Sequence, residues 1–283
     1  MMIIKSDGSR EMFDAEKIKT SILRTGATTH AAQDIAQSVG RQVVEGMTTK
    51  EIYSMVHGEL SRHNTCFACR YNLRDALLKL GPAGYKFEKY IASVLRAYKY
   101  DAYNPPDDLH GSCVDHEVDV VAQRDGRRIF IEAKFRNDFS DSVMLKDVMA
   151  TWSRFLDLVD GASIGKCEHF DECWIVTNAR FSDRAEQFGT CKGIHMIGWN
   201  FPEKSPLSKM VDNSALYPVT VLDHLKQSEL EALSRHNIML CRELTEHEPE
   251  ELAQKINQSR ERAEQLISLC STVVEGVGNQ KRP

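Results

Sequence analysis

Asp119 and the triplet Glu132-Ala133-Lys134 are the residues whose types and spacing could do chemistry. Over 128–135, Ile129, Ile131, Ala133 and Phe135 alternate with Arg128, Phe130, Glu132 and Lys134. Alternate side chains of an extended strand share a face, so Glu132 and Lys134 stand side by side opposite an apolar face. Asp125-Gly126 has the chemistry of a tight hairpin turn, which brings Asp119 alongside from the end of the preceding strand. Two carboxylates and a lysine converging at a sheet edge are what metal-assisted phosphodiester hydrolysis needs. The carboxylates supply hard oxygen ligands for Mg²⁺, and the lysine can orient a water or stabilise a pentavalent phosphate. Read alone, such spacing arises more often by chance, as an exposed charge pair on an edge strand.

The elements that must position these residues follow from periodicity and capping. Residues 2–5 are extended and Asp7-Gly8 is a turn; Asp14 then caps a helix with Ile18 and Ile22 on one face. Thr48 and Glu51 form a capping box ahead of a helix facing Ile52, Val56 and Leu60. A further helix carries Tyr71, Leu73, Leu77 and Leu80 and stops at Gly81-Pro82, and the next runs from Tyr85 to about Ala97. After a loop at 104–108 the pattern turns to strands at 118–121 and 128–135. A helix over about 142–159, a strand at 173–177, a short helix near 183–188 and a strand at 194–199 follow. This alternation predicts an α/β core. Residues 228–272 read as polar helices, and the tail from Gly276 as mobile.

Composition bounds the function. The 283 residues suffice for two domains, and the net charge of -5 gives no global attraction to nucleic acid, although it leaves local patches open. No stretch approaches the roughly 20 apolar residues of a membrane helix, and residues 1–8 lack a secretory signal, so a cytoplasmic location without membrane contact is expected. Among eight cysteines, Cys66 and Cys69 form a lone CxxC within a helical pattern, which reads as buried helix cysteines rather than half of a zinc site. Gly161 to Lys166 imitates a phosphate-binding loop, but the run is one residue short and ends in Cys167.

The stretch Asp115-His116-Glu117-Val118-Asp119-Val120-Val121, followed after the hairpin by Phe130-Ile131-Glu132-Ala133-Lys134-Phe135, resembles the core of Mrr-like restriction endonucleases of the PD-(D/E)xK superfamily. Ile175 to Ser182 and Ile197 to Pro202 resemble that family's later core strands. The resemblance implies a metal-dependent endonuclease acting on DNA, in restriction or defence against foreign DNA. It makes Asp119 and Glu132 the ligands of Mg²⁺ or Mn²⁺, and Lys134 the catalytic lysine. Glu88 matches a glutamate that many members carry on the first core helix, where it supports a metal; read by itself it is a solvated helix glutamate. The family often has a glutamine on the helix after the ExK strand, and 145–154 holds none.

Residues 1–90 are similar to an ATP-cone, through Lys5-Ser6-Asp7-Gly8, Glu11, Phe13-Asp14, Glu16-Lys17-Ile18, Thr48 to Ile52 and Cys69 to Leu73. This resemblance implies ATP or dATP as a regulatory ligand, with Lys5, Lys17 and Arg70 on phosphates and Glu11 and Thr49 helping to hold the nucleotide. Ser6 stands where the family often has arginine. The expected architecture is α/β overall: a mainly helical cone over 1–90, a nuclease domain over 84–225 and a helical segment over 226–283. The helix from Tyr85 would be shared between the first two. Double-strand cleavage calls for two active sites, so a homo-oligomer is expected. The rival readings are a non-enzymatic nucleotide-responsive DNA-binding regulator, and a nuclease of the same fold acting on RNA or branched DNA.

Overall fold

The computed structural model describes residues 1–5, 7–81, 86–138, 141–223 and 225–275. Ser6, Pro82, Tyr85 and the tail from Gly276 lie outside the described residues. The chain opens on an antiparallel hairpin of β1 (Met2–Ile4) and β2 (Arg10–Met12), with Ile3 opposite Glu11. Asp14 caps α1 (Ala15–Leu23) by accepting from the amide of Glu16 at 2.9 Å. Next comes α2 (Thr29–Gln42), capped by the Thr28 side chain, which accepts from the amide of Ala31. Then α3 (Thr49–His63) starts at the reciprocal Thr48/Glu51 box. Ile18, Ile22, Ile52, Val56 and Leu60 meet in one core. The stretch read as a single helix divides at Asn72 into α4 (Thr65–Tyr71) and α5 (Leu73–Leu80). Asn72 leaves helical geometry with ψ near 1°, and its buried amide serves tertiary partners on both sides. It accepts from the Tyr53 hydroxyl at 3.0 Å and donates to the Asp223 carboxylate at 3.0 Å.

Tyr85–Ser214 form a second unit, and α6 (Phe87–Ala97) belongs wholly to it. Three short strands come next: β3 (Asp101–Tyr103), β4 (Leu109–His110) and β5 (Asp115–His116). Then follow β6 (Val120–Arg124), β7 (Arg127–Lys134), β8 (Ser142–Val143) and the long α7 (Leu145–Ser163). The unit ends with β9 (Glu172–Thr177), β10 (Arg180–Phe181), α8 (Asp183–Lys192), β11 (His195–Ile197) and α9 (Leu207–Ser214).

Five strands form a mixed sheet in the order β11-β9-β7-β6-β3. β7, β9 and β11 run parallel, while β6 and β3 pair antiparallel. Asp125 and Gly126 both take positive φ, 52° and 77°, the left-handed pair that a two-residue hairpin requires. β7 is the central strand rather than the expected edge, and it is covered on both sides. Phe130, Cys173 and Ile175 pack with Phe155 and Leu158 of α7, while α6 packs on β3, β6 and β7. Glu132 therefore lies on a covered face and is only 4% exposed.

After Ser214 the chain returns to the first unit, which comprises Met1–Gly84 together with Ala215–Pro283. Its later helices are α10 (Gln227–Arg235), α11 (Cys241–Thr245), α12 (Pro249–Ile256) and α13 (Arg260–Glu275). The segment expected to stand as a third region packs instead with the N-terminal helices, α13 lying against α4. Among the described residues no helix is long and apolar enough to cross a membrane.

Candidate functional site

β6 begins at Val120, paired with Ile131, so Asp119 just before it falls beside Glu132 and Ala133 of β7. The amide of Ala133 donates to Asp119 Oδ2 at 2.7 Å, and the Asn104 side chain donates to the Asp119 carbonyl at 2.7 Å. Both the carboxylate and the backbone of Asp119 are thus held. Burial pushes the Asp119 carboxyl up to about 6, the charge of Glu132 adds to the rise, and Glu88 contributes further. The Ala133 amide and Lys134 oppose that shift without cancelling it. Asp119, Glu132, Glu88 and Lys134 therefore share one electrostatic neighbourhood. Lys134 donates to Glu132 Oε1 at 2.5 Å, and Glu88 pairs with Lys86 at 3.5 Å in the first turn of α6. A cleft of about 400 Å³ opens beside them, lined by Lys86, Glu88, Lys89, Asn104, Glu117 and Asp119 among others.

Helix α7 completes the site. The Arg154 guanidinium donates to the second Glu132 oxygen and to the Glu117 carbonyl. One turn on, Asp157 accepts from the amides of Cys113 and Val114 and pairs with His116 Nε2 at 2.8 Å. The bond to His116, with those amides, holds the Asp157 carboxyl well below the usual carboxylate range. This contact requires two glycines: a Cβ on Gly111 would lie 2.1 Å from Asp157 Oδ2, and one on Gly161 would lie 2.8 Å from the His110 carbonyl. The β4–β5 hairpin leading to Asp119 is thereby fixed to α7. Gly161, part of the phosphate-loop lookalike, serves this packing at the end of a helix.

In the first unit, a pocket of about 240 Å³ is lined by Glu11, Lys17, Thr49, Tyr53 and Tyr71, among others. Lys17, which lines the pocket, and Lys5, which does not, both pair with Glu11, at 3.4 and 3.6 Å, so two cations converge on one carboxylate of the lining. The rings of Tyr53 and Tyr71 stack at 5.0 Å. Arg70 is placed elsewhere. Its guanidinium is buried, donating to the Val273 carbonyl at 2.8 and 3.1 Å and to the Thr25 carbonyl at 2.9 Å. Its donors thus serve two backbone carbonyls, one just beyond α1 and one in the last turn of α13, and Arg70 does not line the pocket where the expected phosphate contact would lie.

Residues 1–71 match the ATP cone domain, residues 82–199 a restriction endonuclease catalytic domain of Mrr type, and residues 217–274 the AF1548-like C-terminal domain. An uncharacterized protein of Archaeoglobus fulgidus is 35% identical over 166 residues, which span 59% of this chain and 90% of that relative. The crystal structure of AF1548, a protein of unknown function, aligns with a TM-score of 0.55 at 32% identity, covering 67% of this chain and 98% of that one. The chain belongs to the AF1548-like family.

This AF1548-like chain joins an ATP cone to an Mrr-type endonuclease domain, a combination that supports a nuclease under nucleotide regulation. Arg154 and Asp157 were not singled out from the sequence, although a signal was there. Arg154 follows buried Thr151 by three residues and precedes buried Leu158 by four, so a permanent charge stands on the stripe that faces the sheet.

Proposed function

We propose that the chain is a metal-dependent endonuclease that hydrolyses DNA phosphodiester bonds at Asp119, Glu132 and Lys134, with ATP or dATP bound by the cone as regulatory ligand. The observation that carries this reading is the convergence of two largely buried carboxylates, with Asp119 raised to about 6 chiefly by burial and further by the charge of Glu132, an arrangement that a divalent cation relieves. Among the described residues no three His, Cys, Asp or Glu side chains gather as a complete metal cage. Mg²⁺ fits this donor set nonetheless, because it retains several waters and is commonly held by one or two carboxylates.

Asp119 and Glu132 would hold Mg²⁺ or Mn²⁺, with Glu88 as outer support. When bound, such an ion would lower the pKa of a water and offset charge on the phosphate. Lys134 donates its protons toward the attacked phosphate oxygen or the attacking water. The Ala133 amide keeps the Asp119 carboxylate turned toward Glu132, and Asn104 fixes its backbone. Double-strand cleavage needs two such sites, and a homo-oligomer supplies them. Incubating supercoiled and linear DNA, single-stranded DNA and RNA with the protein, with and without Mg²⁺, Mn²⁺, ATP or dATP, tests the reading. Metal-dependent cleavage of DNA is expected, and its absence under all these conditions would refute the proposal.

Two further results are expected. A carboxylate must be ionised to bind the cation, and Asp119 holds its proton up to about pH 6 in the metal-free protein. Metal uptake therefore releases a proton below that pH, and Mn²⁺ affinity should be roughly tenfold weaker at pH 5 than at pH 7. A calorimetric titration giving the same affinity at both values would remove Asp119 from the ligand set. In the cone, replacing Lys5 and Lys17 together by alanine removes the two cations paired with Glu11, a residue of the pocket lining. ATP or dATP affinity should fall by about tenfold or more, since charge-assisted contacts are worth about 1.5–3 kcal/mol each. Unchanged affinity would place the nucleotide elsewhere.

A further inference from the structure

We propose that Arg154 is an internal competitor for the metal: its guanidinium occupies Glu132 in the metal-free protein and sets the metal concentration at which the site fills. The inference rests on the reading of Asp119 and Glu132 as metal ligands. Both oxygens of Glu132 are taken, Oε1 by Lys134 on the same strand and the other by Arg154 from α7. A cation bound to Glu132 must displace at least one of them.

Arginine is the more consequential partner. It stays charged at any working pH, and its planar fork bridges two acceptors at once, here the Glu132 carboxylate and the Glu117 carbonyl. Those acceptors belong to the two segments that flank Asp119, the chain entering β6 and the neighbouring β7. In the absence of metal, Arg154 therefore holds these segments together and balances the charge of a nearly buried glutamate. A dication on that carboxylate faces a fixed positive charge at close range, where little water screens it. The guanidinium already lies 5.9 Å from the centre of the Phe130 ring, a face on which it can rest after leaving Glu132. Metal entry at Glu132 is thereby an exchange of cations.

Calorimetric titration of the full chain with Mn²⁺, without DNA, tests this. Arg154→Gln and Arg154→Met, two neutral variants so that one folding failure is not decisive, should bind Mn²⁺ at least about tenfold more tightly than wild type. Arg154→Lys, which keeps the charge but loses the fork to the Glu117 carbonyl, should bind Mn²⁺ with an affinity between those of wild type and the neutral variants. Neutral variants that bind Mn²⁺ no more tightly than wild type overturn the inference. Glu132→Gln separates the two claims. If it loses Mn²⁺ binding while the Arg154 variants match wild type, only the competitor role fails. If Glu132→Gln keeps full affinity, the proposed metal site fails and the competitor role falls with it.

Discussion

Glu132→Gln is expected to reduce metal-dependent DNA cleavage by about 10³-fold or more, on the scale of losing a metal ligand or a preorganised charge in an active site. The substitution keeps the side chain's shape on the central strand, so the fold persists while the negative charge disappears. Lys134 and Arg154 then face a neutral amide, and any dication at Asp119 keeps one carboxylate instead of two. Asp119→Asn should act in the same direction and weaken Mn²⁺ binding as well. Lys134→Ala should depress cleavage comparably while leaving metal affinity near or above wild type, because it removes a cation rather than a ligand. Plasmid nicking and linearisation beside Mn²⁺ titration give both readouts. Cleavage at wild-type rate by all three variants would rule out this active site.

Arg70→Ala should instead destabilise the protein. Arg70 makes three hydrogen bonds to the carbonyls of Thr25 and Val273, both on buried residues, and its guanidinium lies 5.8 Å from the centre of the Tyr217 ring. Truncation leaves two acceptors without their donors, each costing about 1–3 kcal/mol, besides the packing lost. A loss of about 3 kcal/mol or more follows, roughly 6–12 °C in Tm for a unit of this size. Nucleotide affinity, measured well below the transition, should remain within about threefold of wild type. The opposite pattern, unchanged melting with nucleotide affinity down tenfold, would return Arg70 to the role of a phosphate ligand. Comparing this variant with the Lys5/Lys17 pair separates a structural arginine from lysines at the binding pocket.

What could be read from the sequence was what is encoded locally. The alternation along β7, the Asp125-Gly126 turn, the Asp14 cap and the Thr48/Glu51 box each depend on residues within a few positions of one another, and each is present in the fold. The pairing of Asp119 with Glu132 followed from one hairpin register. The three-residue β3 had no such signal, since Asp101 and Tyr103 are exposed and only Ala102 is buried. Periodicity gave one buried face for β7 but could not tell that α7 covers the other, because Glu132 and Lys134 look like solvent-facing charges until Arg154 answers them. The fate of Arg70 was illegible for a different reason. Its cationic side chain suits a phosphate as well as a carbonyl, and the deciding partner, Val273, is 203 residues away.

That separation fixes an order of manufacture. The second unit is one uninterrupted run, Tyr85–Ser214, whereas the first draws on both Met1–Gly84 and Ala215–Pro283. A ribosome working at about 5–20 residues per second would make Arg70 on the order of 10–40 s before the carbonyl that receives it. During that interval α4 has no α13 to pack against, and Cys66 has no Thr272 carbonyl to meet. The endonuclease domain, by contrast, has its whole sheet once β11 and α9 have emerged. On each nascent chain the catalytic half is therefore complete while the nucleotide-binding half still awaits its closing helix.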